Sequence, residues 1–597
     1  MSPSLPTGGP LEGPHGDGQS HRRKEPRLRS AQIQGNIVPG FLKDFQSMLF
    51  LRITDPRAFC IWLCELIPRI ATLEEVAVFN RLFKALTARH GSELAGVKTT
   101  WVNVAISFSG LEQIAKVHPT LQLHKFRDKA FKQGLNKRSK LLGDPVDPNL
   151  EGHPNNWRVG GPKNEAHLVL IVASDSERDL LEEVSWLERA VYAFADGDGK
   201  RHPSGVEVIF KQDGATLQPP LTGHEHFGFR DGISQPGIRG ILPDGTLLTP
   251  SQNPRDRDQG KPGQDLLWPG EFLFGYPGQD PNRKVDQAGS DPLKSAKRGA
   301  PAWARDGSFL VFRRLRQDVG MFHQFVKDVS IQFQVPPDKV GALMVGRWPS
   351  GAPTVSSPGH DDPRLAADDC RNNNFEFEPG GKPTPGRSHS DSCTNVPPPD
   401  NDPTGDKCPF AGHIRKAYPR NDTSPTIKDL REETTQTHRL LRRGIPYGTA
   451  STSTFTAPCD DLTDRGLLFL AYQVSIVDQF EFVTRNWIND ENFKEECVGH
   501  DPIIGQNGVD RTRHFRINLP GATQPLRTDK EWVITTAGGY FFAPSIDALN
   551  MIARPPVAAD RTRSRTGAAP NRRNKRKVRG AAKSQTTRKR GTGRKRS

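Results

Sequence analysis

The stretch His167-Leu-Val-Leu-Ile-Val-Ala173, followed by Ser174 to Phe194 and then by Gly205-Val-Glu-Val-Ile-Phe210, decides the fold class. The first run reads as a buried strand, Ser174–Phe194 as an amphipathic helix, and the third run as a second strand. Upstream, Ser47-Met-Leu-Phe-Leu-Arg-Ile53 reads as a strand leading into a helix-like Ala58–Ile70. Thr100 to Phe108 reads as a strand leading into a helix that starts at Gly110–Val117. Strands interleaved with helices in this way predict an α+β sheet with helices on one face.

The second half repeats the alternation. Gly307 to Arg314 is a strand leading into helix Val319–Val329, and Gly466 to Val474 a strand leading into helix Ile476–Ile488. Glu531 to Thr536 and Tyr540 to Pro544 read as a hairpin turning at Gly538-Gly539. The expected organisation is a disordered segment over 1–32, a first sheet-and-helix unit over 33–222, and a second over 223–555. A disordered basic tail over 556–597 ends the chain. Pro349 to Asp406, dense in Pro, Gly, Asp and Asn, reads as a long loop that either delivers groups to a site or is a surface excursion.

A chain of 597 residues can bury a large core, while 56 Gly and 51 Pro against 34% hydrophobic residues imply long loops and tails. Seven cysteines, an odd number with no paired CxxC motifs, read as free thiols in a reducing compartment; Cys60 and Cys64 are expected as thiols on one helix face. The N-terminal residues lack the apolar core of a secretory signal, and no later run has the length of a membrane span. The expectation is a cytoplasmic protein. Residues 561–597 carry 16 Lys/Arg and no Asp/Glu, which accounts for the whole net charge of +15. Such a tail is either a solvated appendage or an arm for polyanions such as nucleic acid.

Several residues could carry chemistry. Thr222-Gly-His-Glu-His-Phe-Gly-Phe-Arg-Asp231-Gly232-Ile-Ser-Gln235 places an acid between Gly228 and Gly232, where backbone can approach a flat cofactor. An ordinary glycine-rich turn would look the same. His224 and His226, at i,i+2, admit a metal site but lack a third ligand at a telling spacing. His413, in Cys408-Pro-Phe-Ala-Gly-His413-Ile-Arg-Lys, can ligate iron through a neutral imidazole. Arg442 or its neighbour Arg443, together with Asp231, could handle a peroxide on the iron's other face. Singly none is specific; the constellation is.

Gly228-Phe-Arg-Asp231-Gly232, Val345-Gly-Arg347-Trp, His413 in its run, Arg442 in Arg-Arg-Gly-Ile-Pro-Tyr-Gly, and Asp501 in Gly-His-Asp-Pro-Ile-Ile-Gly-Gln506 occur in this order. In order and spacing they resemble the dye-decolourising (DyP-type) peroxidase family, from about Gln34 to about Leu549, and the long loop and tails resemble its longer subgroup. The resemblance implies two ferredoxin-like units, antiparallel sheets flanked by helices, with one haem b per chain held mainly by the second. It makes His413 the iron ligand and Asp501 the acceptor from its other ring nitrogen. Arg347 would pair with a haem propionate, and Gly232 and Gln235 would lie against the cofactor. Asp231 would move the peroxide proton and Arg442 would stabilise charge as the O–O bond breaks, the family pattern favouring Arg442 over Arg443.

The implied activity is oxidation of dyes, phenols and other bulky reductants by hydrogen peroxide through a ferryl haem, with electrons relayed by surface Tyr or Trp. Two other functions fit the residues: a haem-binding or haem-handling protein with incidental turnover, and a nucleic-acid-associated redox protein tethered by its basic tail.

Overall fold

The apolar runs become strands in the computed structural model, which describes residues 25–91, 96–195, 199–252, 258–282, 299–380, 393 and 395–555. Phe45–Ile53 (β1), Thr100–Ser107 (β2), Leu168–Ser174 (β3) and Val206–Ala215 (β4) pair antiparallel in the order β4-β1-β3-β2. Helices Pro56–Leu66 (α1) and Leu73–His90 (α2) join β1 to β2. Phe108–Ala115 (α3) lies between β2 and β3, and Glu177–Tyr192 (α4) joins β3 to β4. This is the ferredoxin-like arrangement.

Ser308–Gln317 (β5) leads into helices Val319–Phe333 (α5) and Pro337–Val345 (α6). After a long excursion come Leu441–Arg442 (β6), Ile445–Tyr447 (β7), Gly466–Gln473 (β8) and Val533–Ala543 (β9). Their order, β6-β8-β5-β9 with β7 also on β8, repeats the first unit's pattern. The units join where β9 pairs with β2 at Phe541–Ser107 and Phe542–Ile106, giving one nine-stranded sheet. At its other end Gly214 of β4 lies against Ile445 and Pro446 of β7.

Side-chain alternation sorts β1 into two layers. Leu49, Leu51 and Ile53 pack with Phe59, Trp62 and Leu63 of α1. Met48 and Phe50 point the other way, into a core shared by both units, where the Phe50 ring sits 4.8 Å from that of Phe312 and 6.4 Å from that of Phe541. Both faces are covered, which is why these strands read as continuous apolar runs. Each fully buried Leu, Val or Phe contributes about 1.5–3 kcal/mol.

Several expectations need correction. Val533–Ala543 is one strand, not a hairpin. Neither Gly538 nor Gly539 has the positive φ that a two-residue hairpin turn requires; a Cβ on Gly538 would lie 2.3 Å from the Leu135 side chain, so this glycine permits close packing. The segment assigned as disordered to residue 32 is anchored from residue 25. Leu28 is buried, and Arg29 pairs with Asp306 and Asp547. Helix α2, absent from the expectations, is bounded by a Thr72–Glu75 capping box and by Gly91 in the left-handed conformation. Helix Ile476–Ile488 winds as two π-helical segments, Ile476–Glu481 and Val483–Ile488.

Cys60 and Cys64 lie on α1 as expected, the first buried. Cys370 and Cys393, however, form a disulfide. The expectation that all the cysteines are free thiols in a reducing compartment therefore falls. Among the described residues no helix is long and apolar enough to cross a membrane. The basic tail expected at 556–597 lies outside the described residues.

Candidate active site

A cavity of about 300 Å³ opens beside β5 and β8. Of its lining residues only Leu142 precedes Glu225, so the second unit builds it. Its walls are largely apolar, with Phe229, Leu467, Phe469 and Val533 among them. The π-helical segments add Phe480, Val483, Thr484 and Ile488, in keeping with the tendency of such turns to occur at functional sites.

His413 is the first residue of the short helix His413–Ala417 (α7), capped by Gly412. The two residues that follow Ile414 fix this helix from outside the cavity. The buried Arg415 guanidinium bonds both Asp422 carboxylate oxygens at 2.7 and 3.0 Å and the Cys408 carbonyl at 2.9 Å. Lys416 Nζ donates to the Trp487 and Asp490 carbonyls at 3.0 and 2.6 Å. His413 Nδ1 lies 2.8 Å from Asp501 Oδ2. The other oxygen of Asp501 accepts from the Ile503 and Ile504 N–H groups at 2.8 and 3.0 Å.

Burial alone would raise the Asp501 carboxyl, but the His413 charge and these hydrogen bonds hold it below the usual carboxylate range. Burial works against His413 ionisation in turn, and the Asp501 charge and hydrogen bond outweigh it, raising the imidazole. A fixed Nδ1–H directed at a carboxylate leaves Nε2 as the ligand atom and makes the ring a stronger donor to a metal.

Asp231 and Arg442 also line the cavity. Arg442 Nη1 donates to Asp231 Oδ1 at 3.2 Å and Nη2 to the Ser234 carbonyl at 3.2 Å. Asp231 has 40% of its side-chain surface open and Arg442 32%, yet protein surrounds the pair, and the open surface faces the cavity. Enclosure would raise the Asp231 carboxyl. The Arg442 charge and the Gly232 N–H, 2.6 Å from Oδ1, win and lower it. Asp231 is therefore an anion at neutral pH, ready to accept a proton.

Arg443 points away from the cavity. Its guanidinium donates to the carbonyls of Asn36, Ile37 and Arg442, and burial brings its pKa down to about 10. Gln235 is also placed differently from expectation. It does not line the cavity; its amide accepts from the Arg442 N–H at 3.2 Å and donates to the Arg442 carbonyl at 3.3 Å. Gln235 thus holds the arginine's main chain rather than a cofactor. His226 bonds the Tyr447 carbonyl and His224 the Thr222 carbonyl, so the pair forms no metal site.

Arg347 follows Gly346, the left-handed cap of α6. Its guanidinium is buried and donates only to the Gly351 and Asn372 carbonyls and to the Asn373 amide oxygen. No carboxylate among the described residues pairs with it. Burial, with the Arg420 charge nearby, brings its pKa down to about 9. Arg420 donates to the same Asn373 oxygen at 2.7 Å and also lines the cavity. Two buried cations sharing one neutral acceptor beside an apolar cavity fit a ligand carrying carboxylates. Gly232, with φ +79°, has nothing within 4 Å of where a Cβ would be, so a flat group can approach its backbone. The donor set, the apolar walls and the cationic edge fit a haem.

Sequence reasoning missed Arg420, which no motif marks, and Glu225. The Glu225 carboxylate lines the cavity and accepts from the Phe227 and Phe229 N–H groups at 2.9 Å each and from the Gln317 amide. Burial pushes it up to about 7 against those bonds. Its place between His224 and His226 was the available signal.

A histidine–aspartate pair and an acid–guanidinium pair share one apolar cavity, the groups that a haem peroxidase site calls for. Residues 32–197 match the DyP dimeric alpha+beta barrel domain, and residues 401–500 the Dyp-type peroxidase C-terminal family. The chain is 31% identical to Peroxidase 2 of Mycetinis scorodonius, covering 87% of each protein. It is 31% identical to a dye-decolorizing peroxidase of Mycena epipterygia, covering 87% of this chain and 86% of that protein. The structure of an ancestral D-type dye-decolorizing peroxidase superposes with a TM-score of 0.67 at 31% identity, covering 88% of this chain and 99% of that one. The chain belongs to the dye-decolorizing peroxidase family, and its cofactor is haem.

Proposed function

We propose that the protein uses hydrogen peroxide to oxidise dyes, phenols and other bulky reductants, with one haem b per chain. The observation that supports this best is the Asp231–Arg442 pair at 3.2 Å on the cavity that also holds His413. A haem-handling protein would need the histidine but not that pair. When bound, the haem supplies the redox chemistry. His413 Nε2 would hold its iron, Asp501 would fix the imidazole, and Arg347, with Arg420 beside it, would take the carboxylates. Asp231 would accept a proton from one peroxide oxygen and return it to the other, and Arg442 would stabilise the negative charge that develops as the O–O bond breaks. Gln235 would position Arg442.

An absorption spectrum of the purified protein tests this reading. A Soret band that shifts on adding peroxide, with turnover of an anthraquinone dye, is the expected result. A haem-bound protein whose spectrum and dye are both unchanged by peroxide would overturn it.

Because the Asp231 carboxyl is held below the usual range, near 3.9 for a free side chain, it is ionised at neutral and mildly acidic pH. The rate of peroxide activation should therefore persist into acid and fall only as pH drops through that lowered value. Asp231→Asn should retain haem, slow activation by roughly 10²–10⁴ and remove the acid limb. Stopped-flow rates across pH check both points; parent and variant profiles that coincide would leave the aspartate a structural role.

The charge clusters of residues 561–597 support weak, sequence-independent polyanion binding in addition to catalysis. A truncation ending at Pro555 should elute earlier from heparin than the full chain and keep its peroxidase turnover. Identical elution would make the tail a solubilising appendage.

A further inference from the structure

We propose that Glu491, His500 and His514 form a binding site for a divalent cation of the zinc class, outside the haem cavity. One ligand atom from each lies within 4.8 Å of the other two, and none of the three residues lines the cavity. His514 Nε2 is 2.8 Å from one Glu491 carboxylate oxygen, and His500 Nε2 is 3.6 Å from the other, too far for a hydrogen bond. The two imidazole rings meet edge to face, with centroids 5.5 Å apart.

Main-chain pairing builds this cluster. Gly499 and Phe515 form an isolated antiparallel bridge, and the His500 N–H donates to the His514 carbonyl at 2.7 Å. That pairing sets the two histidines on adjacent stretches. The Gly499 N–H donates to the Glu491 carbonyl at 2.7 Å, which brings the carboxylate to the same place. A cation here would tie three segments together one residue from Asp501.

The tautomer of His500 favours a ligand role. Its Nδ1 is 3.4 Å from the His514 carbonyl, an oxygen that can only accept, so in the tautomer protonated on Nδ1 that carbonyl holds the proton and Nε2 is free to ligate. Nε2 then presents a lone pair toward the carboxylate and the second imidazole. This is the outer bond that orients metal-bound histidines. Lys416, whose charge is felt at His500, directs its ammonium to the Trp487 and Asp490 carbonyls. Two imidazoles and a carboxylate, with water as the fourth ligand, suit zinc rather than calcium or magnesium, which prefer all-oxygen sets. Ligand atoms on a tetrahedral zinc with bonds of about 2.0–2.1 Å sit roughly 3.3 Å apart, so the wider separations here must close by at most about 1.5 Å and the 2.8 Å contact of His514 with Glu491 must open slightly.

The test is calorimetric titration of the full-length haem protein with ZnCl2 after dialysis against EDTA. One equivalent bound at micromolar affinity, with a raised Tm, is expected. His514→Gln and Glu491→Gln should each weaken binding at least tenfold and remove the rise in Tm. Equal affinity in the parent and both variants overturns the proposal, as does a parent with no stoichiometric site. Zinc-edge X-ray absorption of the parent does not depend on the variants folding. It should show imidazole nitrogen and oxygen ligands at about 2.0–2.1 Å. A sulfur shell would instead place the zinc on the free cysteines and sink the assignment.

Discussion

Replacing His413 by alanine should abolish the histidine-ligated Soret spectrum and nearly all peroxidase turnover. His413 is the histidine on this cavity whose Nδ1 is committed to a fully buried carboxylate, Asp501, at 2.8 Å, leaving Nε2 for iron. Loss of an outer partner of a metal ligand typically costs about 10–100-fold in affinity or activity, so loss of the ligand itself should cost at least about 100-fold. The remaining apolar walls and the Arg347 edge would still attract haem, loosely. Added imidazole should then restore part of the spectrum, because the deletion leaves a space of that shape. A His413→Ala protein with the parent's spectrum and turnover would move the iron site elsewhere.

Arg442→Leu should keep haem but slow peroxide activation by about 10²–10³, the usual effect of removing one preorganised donor to a developing oxyanion. The guanidinium is held on three sides: by Asp231, by the Ser234 carbonyl and, through the main chain, by Gln235. It therefore needs little reorganisation when charge appears. Arg442→Lys should recover only part of the rate, since an ammonium cannot span Asp231 and Ser234 as a planar fork does. Stopped-flow measurement of the peroxide-dependent spectral change separates this from haem loss. A rate in Arg442→Leu equal to the parent's would remove the arginine from the reaction. Arg443→Leu is the contrasting variant: Arg443 is bound to the carbonyls of Asn36, Ile37 and Arg442, so its loss should lower stability rather than this rate.

Much of the fold is legible in the sequence because the strands are buried on both faces. Such runs as Leu168–Ala173 carry their own signal, apolar throughout and bounded by the polar His167 and Ser174. Strand order does not. β2 and β9 lie more than 400 residues apart in the chain and meet over Phe541–Ser107 and Phe542–Ile106 alone, a contact with no local signature. The glycines at 538 and 539 mislead for the same reason: glycine serves tight turns and close packing equally, and only the neighbouring Leu135 shows which.

The candidate site divides in the same way. By itself the sequence determined the identity of the groups: an imidazole at 413, carboxylates at 231 and 501, guanidiniums at 347 and 442. Those are properties of residue type and of local motifs. Tertiary structure gave the physical separation of the adjacent arginines that the family pattern had ranked only by resemblance: Arg442, in β6, lines the cavity, and Arg443, just past the end of that strand, donates to the Asn36 and Ile37 carbonyls. It also turned Gln235 from a cofactor contact into a clamp on Arg442, paired Cys370 with Cys393, and set Arg420 beside Arg347. Each of these depends on a distance between residues remote in sequence, and such distances are set by packing rather than by local propensity.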